Sequence, residues 1–333
     1  MTANTRTMVL SKMKSLTALA KLSVLVGLFV FAIGSVRAQG VLTMANSNNT
    51  PGEDFTGETY SGSLAGINLS GDTLVGVSLH YADLSGANLT GTYIPNAYLN
   101  YANLAHANLS YAELNNTDLN HAILSYADLT HAILDWVVLS HATLSHSLLA
   151  KASLAEASLD NVDFTYATLT SANLSGAMLS GSDFTNATLS SADLNSARSL
   201  FAIFTGANLS GANFSNAYLD RPNFTYATLT NADLTLAIFS GGNLFGANFL
   251  GANLTGVTGL ETTYFGGTAP TYDSNTIFTG TNFNPVTAGW TLTGAVPEPS
   301  TYALFGMGAL VVVVAYRTGN RPRQPKSDFL SAG

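Results

Sequence analysis

The sequence predicts an all-β fold in which the backbone bends once every five residues and winds into a long coil. An apolar residue returns at every fifth position from Leu64 to Leu254, and Leu, Phe or Ile fills all 39 of these positions except Ser199. Two places earlier the residue is usually small, as at Ala82 and Ala87. These two observations define a repeated unit with one large and one small inward position.

A period of five residues does not fit a straight helix or a straight strand. On an α-helix five residues advance about 500°, so the apolar side chains would circle the whole surface. On a strand five is an odd number, so they would alternate between the two faces. A bend in each unit lets both apolar residues point inward. The predicted core therefore includes Leu84, Leu89, Leu104, Leu109, Leu124 and Leu129.

The units have the pattern Ala-Asp/Asn-Leu-Ser/Thr-Gly, as at residues 82–86 and 87–91. This pattern resembles the pentapeptide-repeat family. The resemblance implies a right-handed quadrilateral β-helix over residues 64–255, in which four units close a coil of about 20 residues. About ten coils at roughly 4.8 Å each would extend over about 45–50 Å.

Residues 1–38 are typical of a secretory signal peptide. Three lysines precede an apolar run at residues 22–33, and Val36 and Ala38 are small residues suited to a cleavage site. Translation from Met13 instead of Met1 would shorten an unusually long basic region. An uncleaved anchor is the alternative, but about twelve apolar residues are too few to span a bilayer.

Segments without the five-residue register flank the repeats. Residues 39–63 are polar, with Phe55 and Tyr60 expected to cover the first coil, because a solenoid's terminal coil otherwise exposes its core. Residues 256–295 are rich in aromatic residues, Trp290 among them, and are interpreted as a C-terminal cap and linker.

The C-terminal segment, residues 296–333, is interpreted as a sorting tail with an apolar run at residues 302–316. This run, as a helix, reaches only about 22 Å, which suits a transient rather than a permanent anchor. The sequence Val-Pro-Glu-Pro-Ser at residues 296–300 precedes this run, and basic residues that begin with Arg317 follow it. This arrangement resembles a PEP-CTERM signal, which implies processing by an exosortase-type enzyme at the inner membrane of a Gram-negative bacterium. The length of the tail beyond residue 316 departs from the few basic residues usual in that family. The motif residues are Val296, Pro297, Glu298, Pro299, Ser300 and Arg317.

Charge and cysteine content exclude several functions. Of the 12 Lys and Arg residues, only Lys151, Arg198 and Arg221 lie between the two terminal segments, against 18 acidic residues. A basic groove for nucleic acid is therefore excluded. The family resemblance allows mimicry of nucleic acid, because some cytoplasmic pentapeptide-repeat proteins mimic DNA against gyrase. An exported protein would not meet gyrase. The absence of cysteine excludes disulfides and thiol chemistry.

Columns of residues 20 apart give the candidate sites. A column from Tyr81 through His121 to His141, and its neighbour with His106, Tyr126 and His146, form either a metal site or a ladder of solvated rings. Asp163 and Asp183 also fall in one column. Two carboxylates that lie so close either share a proton, bind a cation or diverge into water. A regular array that could meet carbohydrate or ice consists of Thr168, Thr170, Thr188, Ser190, Asn208, Ser210, Thr228 and Thr230.

Thr and Ser also suit β positions, and Asn forms ladders between stacked coils. The array can therefore exist without a ligand. At Ser199 we expect a bulge that turns Leu200 inward. The chain shows no catalytic motif, and no cofactor or metal is expected. We therefore predict a non-enzymatic structural or interaction protein at the cell surface or in the exopolysaccharide matrix, in contact with polysaccharide or surface proteins. A ligand-binding module that uses the array or the columns is the alternative.

Overall fold

The computed structural model describes residues 55–57, 59–60 and 62–294. In these residues the backbone winds into a right-handed β-helix with four sides, one pentapeptide to each side. Parallel bridges join positions 20 residues apart, for example Asp83 with Asn103 and Asn103 with Ile123. The predicted quadrilateral β-helix is therefore confirmed. The predicted signal peptide and the C-terminal hydrophobic helix lie outside the described residues.

Both inward positions of the repeat form the core. From Leu64 to Leu254 every fifth residue is at most 5% exposed, and the small residue two places earlier is buried as well from Ile67 onward. Successive coils place like side chains above one another. Phe164, Phe184, Phe204 and Phe224 stack in this way, with ring centroids 4.8–5.1 Å apart.

Each regular corner is a β-turn with an unusual backbone. The first carbonyl accepts a hydrogen bond from the amide three residues on, as from Ile67 N–H to Leu64 O at 3.1 Å. The third residue of the turn has a positive φ, which defines a type II turn. Among the described residues, 26 corner residues other than glycine have a positive φ, from 50° in Arg221 to 62° in Tyr101. A left-handed conformation costs such residues about 1–2 kcal/mol, so other contacts must offset it.

One side of the helix forms longer strands at three successive coils. These are β1 (Arg198–Leu200), β2 (Tyr218–Asp220) and β3 (Ile238–Ser240), which make a parallel sheet in the order β1-β2-β3.

The pairing passes through Ser199 without interruption, because Ser199 lies opposite Leu219 in regular register. The expected bulge is therefore wrong. Ser199 remains inward at 1% exposure, and Leu200 points outward at 37%. Continuous pairing evidently outweighs the burial of one hydroxyl group, although Ser199 Oγ has no hydrogen-bond partner among the described residues.

The regular register ends at Gly259. Its φ is 81°, and a Cβ atom there would lie 1.8 Å from the carbonyl oxygen of Phe239, so only glycine fits. A short 3-10 helix follows, Leu260–Thr262, and then the paired parallel strands β4 (Thr271–Tyr272) and β5 (Thr291–Leu292).

Aromatic rings cover the core beyond the last regular coil. Trp290 is 6% exposed and stacks on Phe249 with centroids 4.8 Å apart. Phe283 packs edge-on against the same indole at 5.1 Å. At the opposite end Phe55 and Tyr60 meet edge to face at 6.4 Å and pack against the core. The exact division into caps and linkers stays a prediction.

Candidate interaction surfaces

The Thr/Ser array lies along one side, as its spacing predicts. Parallel bridges join Thr168 to Thr188, Thr188 to Asn208 and Asn208 to Thr228. Ser210 Oγ donates to Asn208 Oδ1 at 2.7 Å, so that pair is already hydrogen-bonded. The second file consists of Thr170, Ser190, Ser210 and Thr230, two residues further along each unit. The geometry supplies an ordered polar face, and a ligand for it stays a prediction.

The His/Tyr columns form stacked ladders at two corners. In the column from Tyr81 to His141 the ring centroids are 4.7–4.9 Å apart and the rings are nearly parallel. In the neighbouring column the spacing is 4.8–5.0 Å, and the ladder continues to Tyr166. A third corner, which the sequence did not single out, stacks Tyr111 on His131 at 4.9 Å.

Ring stacking gives these ladders a structural role. Every ring in them sits at a corner residue with positive φ. An aromatic pair contributes about 0.5–1.5 kcal/mol beyond burial, which is comparable with the cost of the left-handed backbone. A ring inside a ladder has another ring on both faces, so a ligand reaches only its edge.

The geometry of the imidazoles does not favour a shared metal ion. His121 and His141 stack within 9° of parallel, with centroids 4.9 Å apart. Imidazole nitrogens bind metals in the plane of the ring, and parallel stacked rings point their lone pairs side by side instead of at one point. Among the described residues, no three His, Asp or Glu side chains come together to hold a metal ion.

The two stacked aspartates are turned toward their own corners. Asp163 Oδ1 accepts the amide of Thr165 at 2.9 Å, and Asp183 Oδ1 accepts the amide of Thr185 at 2.8 Å. The same bond recurs wherever Asn or Asp precedes the large inward residue, as from Ser85 to Asp83. These carboxylates therefore stabilise the turns of the repeat.

An open groove lies on the corner that carries the Tyr81 to His141 ladder, just beyond its last ring. We call it the corner groove. Sequence reasoning missed it, although the 20-residue spacing that gave the ladder extends to its members. It is lined by His141, Asp160, Asn161, Ser180, Gly181 and Phe201, with Ser140 and Leu200 at its edges.

The four-sided coil, with two inward residues in every five and polar or aromatic ladders outside, defines a β-helical repeat protein. A family model described as pentapeptide repeats matches eight copies, at residues 62–92, 97–135, 138–176, 167–198 and 202–241. The chain belongs to the pentapeptide-repeat family. A second model, described as a PEP-CTERM protein-sorting motif, matches residues 295–318. Together they indicate an exported repeat protein.

Solved structures of other pentapeptide-repeat proteins are similar to this chain. HetL from Nostoc sp. strain PCC 7120, described as involved in heterocyst differentiation regulation, is 26% identical, over 70% of this chain and 88% of HetL, with a TM-score of 0.42. Rfr23 from Cyanothece 51142 is 34% identical over 30% of this chain and 63% of its own, with a TM-score of 0.21. Because these scores are below 0.5, the assignment depends on the family models and the geometry above.

A search of curated protein sequences gives no match. In the described ranges no helix is long and apolar enough to cross a membrane.

Proposed function

We propose that this protein is an exported, non-catalytic β-helix that is sorted through its C-terminal tail to the cell surface or the exopolysaccharide matrix, where it acts as a rigid spacer or interaction scaffold. The observation that carries the proposal is the presence of a PEP-CTERM motif at residues 295–318 behind a β-helix that occupies most of the chain. The motif implies recognition by an exosortase and export to the surface of a Gram-negative bacterium.

The packing of the β-helix supports a mechanical role. Main-chain hydrogen bonds join each described coil to the next, for example from Leu104 N–H to Ile123 O at 2.7 Å. The buried core continues from Leu64 to Leu260. Such an element resists bending because every coil is fixed on both sides, and its outward side chains stay in fixed rows.

Contact with partners through the outward rows of side chains is the second part of the proposal. Polysaccharide or other surface proteins are the proposed partners, because hydroxyl, amide and aromatic groups dominate the sides and corners. The Thr/Ser array from Thr168 to Thr230 is a second candidate site, for carbohydrate or ice. The regular bridges along it favour that alternative.

Two variants of the tail test the sorting step. Alanine at Pro297, Glu298 and Pro299 removes the motif and keeps the apolar run, so the chain should stay in the membrane fraction. Deletion of residues 302–333 removes the run, so the chain should be released as a soluble protein. The wild-type chain serves as control. Normal surface display of the triple-alanine variant would contradict the proposal.

A further inference from the structure

We propose that the corner groove binds a neutral pyranose polysaccharide. This inference rests on the proposed function, because it names the partner of a surface-exposed β-helix. The site is separate from the Thr/Ser array, which lies on another side of the coil. Three properties of the groove carry the proposal: an open aromatic face at one end, hydrogen-bonding groups beside it, and a negative charge.

The open aromatic face comes from an interruption in the corner column. His141 is the last ring of the ladder and has His121 on one face. The next two coils carry Asn161 and Gly181 at the same corner, and the third carries Phe201. Three coils of about 4.8 Å separate the two ring positions by roughly 14 Å. The face of Phe201 that points into this gap lies opposite Gly181, which has no side chain, whereas the facing side of His141 lies next to Asn161.

Phe201 presents one face to the groove. The ring is 50% exposed, and the guanidinium carbon of Arg221 lies 5.4 Å from its centroid on the side of the following coil. On the side of the preceding coil stands Gly181, which has no side chain. A half-exposed phenyl ring in a fixed orientation is a flat apolar surface of the kind that packs against the C–H face of a sugar ring.

The groups between the rings suit sugar hydroxyls. Asp160 Oδ1 accepts the amide of Ser180 at 3.1 Å, which fixes the carboxylate, and a carboxylate can accept further hydrogen bonds. The carboxamide of Asn161 lies across the floor, since a Cβ atom on Gly181 would come within 2.4 Å of Asn161 Oδ1. The Ser180 hydroxyl can both donate and accept. Carboxylate, amide and hydroxyl groups beside an aromatic face match the alternation of apolar and hydroxyl surface on a pyranose.

Charge restricts the ligand to neutral sugars. Asp160 is the carboxylate among the residues that line the groove, so a uronate polymer would be repelled there. Arg221 does not reverse this, because its Nε lies 4.0 Å from Asp220 Oδ1 and its guanidinium covers the far face of Phe201.

Native gel electrophoresis of the full chain in gels that contain one polysaccharide tests the proposal. The probes are hydroxyethyl cellulose, galactomannan and dextran, with alginate as the uronate. At least one neutral polymer should retard the wild-type protein, and alginate should not. Phe201→Ala should weaken the affinity at least tenfold. Gly181→Tyr should do the same by filling the groove, and its backbone is suited to tyrosine because Tyr101 and His121 hold φ of 62° and 58° in the same column.

Matched controls separate the groove from general effects. Gly251→Tyr places a Cβ atom 2.2 Å from Asn231 Oδ1, an overlap like that at Gly181, but at another corner whose column has no ring from Lys151 to Gly251. Tyr111→Ala removes a similarly exposed ring from that same corner column. Both controls should bind within twofold of wild type. Asp160→Asn keeps the shape and the amide contact, and should weaken binding without lowering the melting temperature.

Three results would overturn the proposal: retardation by none of the neutral polymers, retardation by alginate alone, or equal affinity in Phe201→Ala, Gly181→Tyr and wild type. Equal loss in the two controls would also exclude the groove. Surface display is measured separately on the tail variants. Failure of sugar binding therefore leaves the sorting proposal standing, and failure of sorting leaves the binding result standing.

Discussion

Replacement of Ser199 by leucine should stabilise the protein. Ser199 is 1% exposed, and its Oγ has no hydrogen-bond partner in the part of the chain that the structure describes. It occupies a position where the neighbouring coils have Leu179 and Leu219. A leucine at this place should fit beside Phe184 of the same coil, because the coil before it holds Phe164 together with Leu179. The substitution thus removes an unsatisfied hydroxyl and adds apolar volume.

The magnitude follows from these two contributions. An unpaired buried hydroxyl group costs about 1–3 kcal/mol, and full burial of a leucine side chain contributes about 1.5–3 kcal/mol. Imperfect fit of a new core side chain offsets about 1–3 kcal/mol. We therefore expect Ser199→Leu to raise the free energy of unfolding by about 2 kcal/mol.

Urea titration followed by circular dichroism measures this change. Ser175→Leu is the control, because Ser175 is an outward, half-buried residue, and its effect should stay within about 0.5 kcal/mol. An unchanged or lower stability for Ser199→Leu would refute the reasoning. It would mean that neighbouring side chains already fill the space above the hydroxyl.

Two further predictions concern the core and the C-terminal end. Leu124→Ala should cost about 2–5 kcal/mol in unfolding free energy because Leu124 is fully buried, whereas outward Ser125→Ala should cost less than about 0.5 kcal/mol; equal losses would contradict the inside/outside assignment. The amide of Gly251 donates to Asp273 Oδ1 at 2.9 Å and holds the pKa of that carboxyl group below its ordinary value. This contact stabilises the C-terminal end above the unfolded pKa and is lost as the pH falls through the folded pKa. The fluorescence of Trp290, recorded in a Trp136→Phe background, should therefore change in acid, and an identical acid transition in Asp273→Asn would exclude this role.

The period of five predicted most of the fold. It placed residues such as Leu84 and Leu129 in the core, and the 20-residue coil predicted which side chains stack, as in the ladder from Tyr81 to His141. These predictions succeeded because each unit repeats the same local geometry, so one correct register determines all of them. The left-handed corner residues were not predicted, since the backbone cost of Tyr or His there is offset by stacking that only the assembled coils provide.

The remaining features depend on contacts that have no period. Ser199 was misjudged because local polarity suggested a bulge, whereas the pairing of β1 with β2 holds the residue inward. The end beyond Gly259 could be recognised as aromatic, but the stacking of Trp290 on Phe249 follows from an irregular chain path. The 20-residue spacing of Asn161, Gly181 and Phe201 is sufficient to predict the corner groove. The ladder of rings ends at His141, so the pattern of aromatic residues alone does not indicate the groove.

The intact mass of the protein recovered from the cell surface tests the central claim most directly. The sorting proposal predicts a chain that begins near Gln39 and ends near Glu298, and therefore lacks residues 302–333. A recovered mass that still includes those residues would contradict removal of the tail and would support a permanent single-span anchor.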